Sequence, residues 1–212
     1  MCWNCAKSAK CRAVLGCPVR KRRQDPETGD FVTRIPYPDP AGLSETKREV
    51  LSGAFGRVLN ISRMAMHAPD PFWAPQRALG RAAIFDISIT PRQRELIILR
   101  VAYLSRSDYE IYHHESIAAA LGLTERERQG LESGDFSVFA AEEQCLCDFV
   151  SELVSDVSPS DRSLAAMQEY FGLPTLFEIL FITCTYMMLA RVAAVSGAEI
   201  DDEAVTNWNL RR

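Results

Sequence analysis

Glu95, Glu110 and His114 are the residues whose types and spacing could do chemistry. Glu110 and His114 are four apart in a segment with helical patterning, so they share a face. If Glu95 joins them in a dry pocket, burial raises a carboxyl pKa while a neighbouring imidazolium lowers it. The three can then hold one mobile proton and pass it to or from a substrate carbon or oxygen near neutral pH. That is general acid/base chemistry. A structural reading stands beside it: Ser107 and Glu110 have the spacing of a plain S-x-x-E capping box, and a histidine on a helix is commonly a half-exposed polar residue.

The elements that must position these groups form a hairpin. Thr90, Pro91 and Gln93 make a capping pattern that opens a helix running to about residue 104, apolar on more than one side and therefore interior. Ser105, Arg106 and Ser107 interrupt it. Ser107 and Glu110 open a second helix, with Gly122 as its stop. Contact between Glu95 and His114 requires that the two arms cross or bend.

The stretch resembles the carboxymuconolactone decarboxylase family, within the wider alkylhydroperoxidase D-like (AhpD-like) superfamily. The matching residues are Glu95 in RELIILRVA and then Ser107, Tyr109, Glu110, His114, Ala118 and Gly122 in SDYEIYHHESIAAALGL. The peroxidase branch has a glutamate followed by C-x-x-C-x-x-x-H. Here Glu95 and His114 keep the separation, while Ser107 and Glu110 hold the two cysteine places. A disulfide-forming peroxidase needs one thiolate to attack peroxide and a second thiol to resolve the product, and neither Ser nor Glu can do this. The resemblance, covering residues 69–197, therefore implies the decarboxylase-like branch. Its fold would be an all-α AhpD-like bundle with a central helical hairpin. Its catalytic groups would be His114 as proton donor, tuned by Glu110 or Glu95, with no metal or organic cofactor. Its substrates would be small carboxylated or lactone-containing rings of catabolism or secondary metabolism, and its subunits would assemble as dimers, trimers or hexamers. An AhpD-like thiol peroxidase and a non-catalytic helical binding protein are the alternatives.

Composition sets the frame. The chain has 212 residues, 47% hydrophobic and 25% charged, as in an ordinary globular protein with a sizeable core. The first 24 residues contain seven of its Lys and Arg and no acid, which leaves an acidic body and argues against nucleic acid as a partner. Seven cysteines, an odd number, with no apolar secretory segment, point to a reducing, cytoplasmic compartment.

Residues 1–34 read as a basic, flexible tail. Cys2, Cys5, Cys11 and Cys17 offer a zinc-knuckle alternative with only one close pair, and the RKRR run at 20–23 an import or polyanion patch. Residues 35–200 read as the domain and 201–212 as a peripheral tail containing Trp208. The proline-spaced 34–42 is an extended arm. A first helix is expected over 43–59, burying Leu43, Val50, Leu51, Phe55, Val58 and Leu59. Residues 61–86 are looser, with helix from Arg77; Met64, Met66, His67, Phe72 and Trp73 suit either core packing under a loop or the wall of an apolar ligand site, with His67 as a polar contact. The substrate-binding candidates are thus Ser107, Tyr109, His67 and Trp73.

Further helices are expected over 124–131, 140–154 and 160–170. Cys145 and Cys147 point in different directions on theirs. Residues 173–195 are the most apolar, but the uninterrupted run is too short for a bilayer and reads as a central or subunit-contact helix. Glu178 within it needs a partner, with Arg191 expected and a place in the pocket as the alternative.

Overall fold

The computed structural model describes residues 33–54 and 56–205. Expectations placed on the tail cysteines, the RKRR run, Phe55 and Trp208 lie outside the described residues. Eight α-helices follow one another: α1 (Glu45–Leu51), α2 (Asn60–Ala65), α3 (Asp70–Phe85), α4 (Pro91–Ser105), α5 (Asp108–Ala120), α6 (Glu125–Ser133), α7 (Ala141–Asp156) and α8 (Asp161–Ser196). There is no strand among the described residues.

The hub is α4. Thr90 Oγ1 accepts from the Gln93 amide, the Gln93 side chain accepts from the Thr90 amide, and Pro91 occupies the first turn where no backbone donor is lost. Every residue from Arg94 to Ala102 is buried, as a helix apolar on several sides requires. It packs against α5, α6, α7 and α8, and Leu96, Ile97, Ile98, Leu99 and Val101 join Leu131, Leu146, Phe149, Ile179 and Ile182 in the main core. Arg100 crosses this core to reach Ser151 Oγ at 2.7 Å and the Leu131 carbonyl at 2.7 Å, tying α4 to α7 and to the end of α6.

Several expected boundaries move. The first helix stops at Leu51, because Ser52 caps it and Gly53 (φ +79°) and Gly56 (φ +107°) turn the chain, so 43–59 is not one helix. By contrast α3 begins at Asp70, not Arg77. Pro71 sits in the first turn and Pro75 forfeits one internal bond, while buried Trp73 anchors that turn beneath α1. The two helices expected over 160–170 and 173–195 are continuous in α8 except at Gly172 (φ +68°, ψ +169°), where the backbone kinks ahead of Pro174.

By length and composition α8 could cross a bilayer, with mean hydropathy 1.8 over its most apolar window. Its buried positions Leu176, Ile179, Ile182, Tyr186, Ala190 and Ala193 recur at helical spacing, and α8 packs on α4 and α7, the role expected of a central helix. Glu178 neither pairs with Arg191 nor faces the acid/base residues. Its carboxylate accepts from the Ser88 amide at 2.8 Å, the Ser88 hydroxyl at 2.7 Å and the Ile89 amide at 3.3 Å, holding the loop that leads into α4. The start of the expected C-terminal tail is likewise engaged: Asp201 is buried and binds the Asn60 amide at 3.1 Å, His113 Nε2 at 3.1 Å and the Tyr109 hydroxyl.

Candidate acid/base site between α4, α5 and α8

The turn between α4 and α5 sets the geometry. Arg106 takes a left-handed conformation (φ 53°), and the Ser107 amide reaches back to the Ala102 carbonyl at 3.0 Å. The chain reverses sharply and lays α5 antiparallel on α4, which brings His114 to within about one helical turn of being level with Glu95. No unusual crossing is needed for the long side chains to meet.

They do meet. His114 Nδ1 lies 2.6 Å from Glu95 Oε2, and His114 Nε2 faces Glu110 Oε2 at 3.6 Å. On its other oxygen Glu95 receives Arg94 Nε at 2.8 Å, and Arg94 is itself held by the Ile84 carbonyl at 2.8 Å. Tyr186 of α8 stands edge-on to the imidazole, ring centroids 5.1 Å apart. Glu95, Glu110 and His114 are 0%, 4% and 2% exposed, so nothing here is screened by bulk water.

Two identical side chains are driven apart by these surroundings. Burial acts to raise the Glu95 carboxyl, but the His114 ring and the Arg94 guanidinium outweigh it and hold the group below its ordinary 4.5. Burial raises Glu110 as well, and there the more distant histidines do not compensate, so its carboxyl stays above 4.5. With Glu95 ionised, the Nδ1 that faces it carries a proton, and Nε2 is the ring atom turned toward Glu110. Burial, reinforced by both acids, lifts the Tyr186 phenol well above 10 and keeps it neutral.

Ser107 is the N-cap of α5 by position, yet its hydroxyl makes no capping bond. Ser107 Oγ and Glu110 Oε1 are both buried without a hydrogen-bond partner, so the capping box suggested by their spacing is not formed. The other sequence candidates lie elsewhere. The Tyr109 hydroxyl is engaged by Asp201 and the Ile61 amide, His67 is exposed with Nε2 2.7 Å from the Pro36 carbonyl, and Trp73 packs with Leu43, Val50 and Met66. Two surface hollows of about 540 and 250 Å³ are lined mainly from α6 and its flanks and include none of the three acid/base residues. Among the described residues no group of three or more His, Cys, Asp or Glu is arranged to hold a metal.

Sequence reasoning passed over Arg94 and Tyr186. A charge beside Glu95 in an all-round apolar helix was the available signal for Arg94, since it had to be paired. Tyr186 gave none beyond a lone phenol in the most apolar segment.

Residues 69–133 match the sequence model of the carboxymuconolactone decarboxylase family. The match covers less than half of the chain. It contains α3 to α6, and with them Glu95, Ser107, Glu110 and His114. Similar solved structures include an alkylhydroperoxidase AhpD core, an uncharacterized peroxidase-related protein from Ralstonia eutropha JMP134, at 20% identity and TM-score 0.66, covering 82% of this chain and 94% of that one. A peroxidase-related protein from Silicibacter sp. TM1040 gives 15% and 0.67 over 81% and 92%, and a protein of unknown function from Agrobacterium tumefaciens 17% and 0.59 over 66% and 96%. At these identities the likeness establishes an all-α AhpD-like fold. No curated protein matches the chain at a significant level.

Proposed function

We propose that the chain is a cofactor-independent acid/base enzyme, a decarboxylase, lyase or isomerase acting on a small carboxylated or lactone-type ring compound. One observation carries this reading: two buried carboxyls flank one imidazole, and their surroundings shift them in opposite directions, Glu95 down and Glu110 up. Such a pair divides the labour of proton transfer, the member shifted down fixing the ring while the member shifted up holds its proton to higher pH. Ionised Glu95, braced by Arg94, orients His114 through Nδ1. His114 Nε2 moves the proton to or from the substrate carbon.

The thiol peroxidase alternative is weakened by the same residues. Ser107 and Glu110 stand where two thiols would be needed, and of the body cysteines Cys147 is buried on α7 with its thiol pushed up by burial, while Cys184 is exposed on α8. The reading also includes self-association, for which the exposed stripe of Leu173, Phe177 and Phe181 on α8 is a suitable surface, and a cytoplasmic setting without membrane or nucleic-acid partners. It takes 35–200 as the catalytic domain.

The test is turnover on a panel of carboxylated lactones and β-keto acids, followed by release of carbon dioxide or by deuterium uptake from solvent. His114→Gln is expected to lower turnover by about 10² or more. Turnover near that of the unsubstituted protein removes the proposal.

A further inference from the structure

Ser107 Oγ and Glu110 Oε1 are the unexplained atoms of the site. Both belong to side chains 5% or less exposed, and neither has a partner. Buried polar groups are ordinarily satisfied, so two orphans on neighbouring turns of one helix face are a signal of a ligand's polar atoms. Positions 107, 110 and 114 recur at i, i+3 and i+7 and therefore stack along the face of α5 that carries the imidazole. Ser107 and Glu110 also lie at the start of a 13-residue helix, whose positive end favours an oxygen that gains negative charge.

We propose that Ser107 Oγ and Glu110 Oε1 together seat the carbonyl oxygen of the substrate, and that the substrates are carbonyl compounds reacting through an enolate whose adjacent carbon exchanges its proton with His114. The inference rests on the acid/base reading and adds to it the recognition element and the substrate class. A serine hydroxyl donates one hydrogen bond. The Glu110 carboxyl in its protonated form, which burial favours, donates a second without placing a negative charge beside the growing one. Glu95, the carboxyl held below 4.5, is turned to the far ring nitrogen and paired with Arg94.

In an isomerisation, the α C–H bond breaks, its proton goes to His114 Nε2, and its electron pair moves through the carbon–carbon bond onto the seated oxygen. Return of that proton to another carbon completes the reaction. Where a carboxylate sits β to the carbonyl, the C–C bond breaks instead and carbon dioxide leaves. The pair then moves to the same oxygen, and protonated His114 supplies the proton to carbon. No oxidant or reductant is consumed in either case.

The probe is 4-nitrophenolate, whose oxygen carries charge as an enolate does, titrated into the full chain and followed by the change in its absorbance. The unsubstituted protein is expected to bind it, Ser107→Ala to bind about tenfold or more weakly, and Glu110→Leu to lose binding, in keeping with hydrogen bonds to a charged oxygen. Glu110→Gln keeps a neutral donor of the same shape and is expected to retain binding within about threefold. Thermal melts of each variant separate a lost fold from a lost seat, and the mild Ser107→Ala and Glu110→Gln pair carries the test if Glu110→Leu does not fold. No binding by the unsubstituted protein, or equal binding by Ser107→Ala and Glu110→Leu, overturns the proposal. Phenolate binding needs no turnover, so its failure leaves the acid/base reading to the His114→Gln assay.

Discussion

Glu95 and Glu110 differ in their neighbours, and their opposite behaviour has a thermodynamic consequence. Glu110, with its carboxyl raised above 4.5, favours folding fully while the unfolded chain is also protonated, and that contribution is lost as pH rises through its folded pKa. Glu95, held below 4.5, contributes above the unfolded value and loses that contribution as pH falls through its folded pKa. Glu110→Gln, which cannot ionise, is therefore expected to gain melting temperature relative to the unsubstituted protein as pH increases from about 4 to about 8. Parallel melting curves across that range would contradict the assignment. At this scale the sequence was legible for His114 and both acids, because their types and spacing are local facts. Ser107 and Glu110 were legible only in part. Thr90 with Gln93 and Thr124 with Glu127 form real capping boxes, whereas Ser107 and Glu110 share that pattern and do not, since their side chains are turned into the interior, where no string of residue types shows them.

Among the elements, the α4–α5 turn fixes where the site forms. Its left-handed residue is Arg106, exposed and without a glycine's freedom, and the reversal it makes aims Ser107 inward. A side chain in this conformation costs about 1 kcal/mol. Arg106→Gly is expected to raise stability by about 0.5–1 kcal/mol in urea unfolding, after the flexibility that glycine adds to the unfolded chain. A loss of stability would show that the Arg106 side chain has a role of its own. Helix existence was readable from caps and apolar period, and the order of α4 to α8 followed. Partners from distant segments were not. Glu178 was paired in sequence with Arg191 on the same helix, but a loop amide ninety residues earlier supplies its bonds. Asp201 likewise draws on Asn60, Tyr109 and His113 from two other helices.

As a whole molecule, one packed bundle shifts two chemically equal acids in opposite directions around a single ring. The burial comes from α4, α5 and α8 closing on one another. The inequality comes first from His114, whose hydrogen bond goes to Glu95 and not to Glu110, and then from Arg94, which sits on the Glu95 side only. This is why the all-α class could be inferred from patterning while the electrostatics of the site could not: the first is a sum of local preferences, the second depends on which charges a finished core leaves within reach. Infrared difference spectroscopy on the full chain labelled with carbon-13 glutamate addresses the claim directly at neutral pH. The expected result is a protonated-carboxyl C=O stretch that disappears in Glu110→Gln and persists in Glu95→Gln. Absence of that band, or its loss on replacing Glu95 and not Glu110, would contradict it.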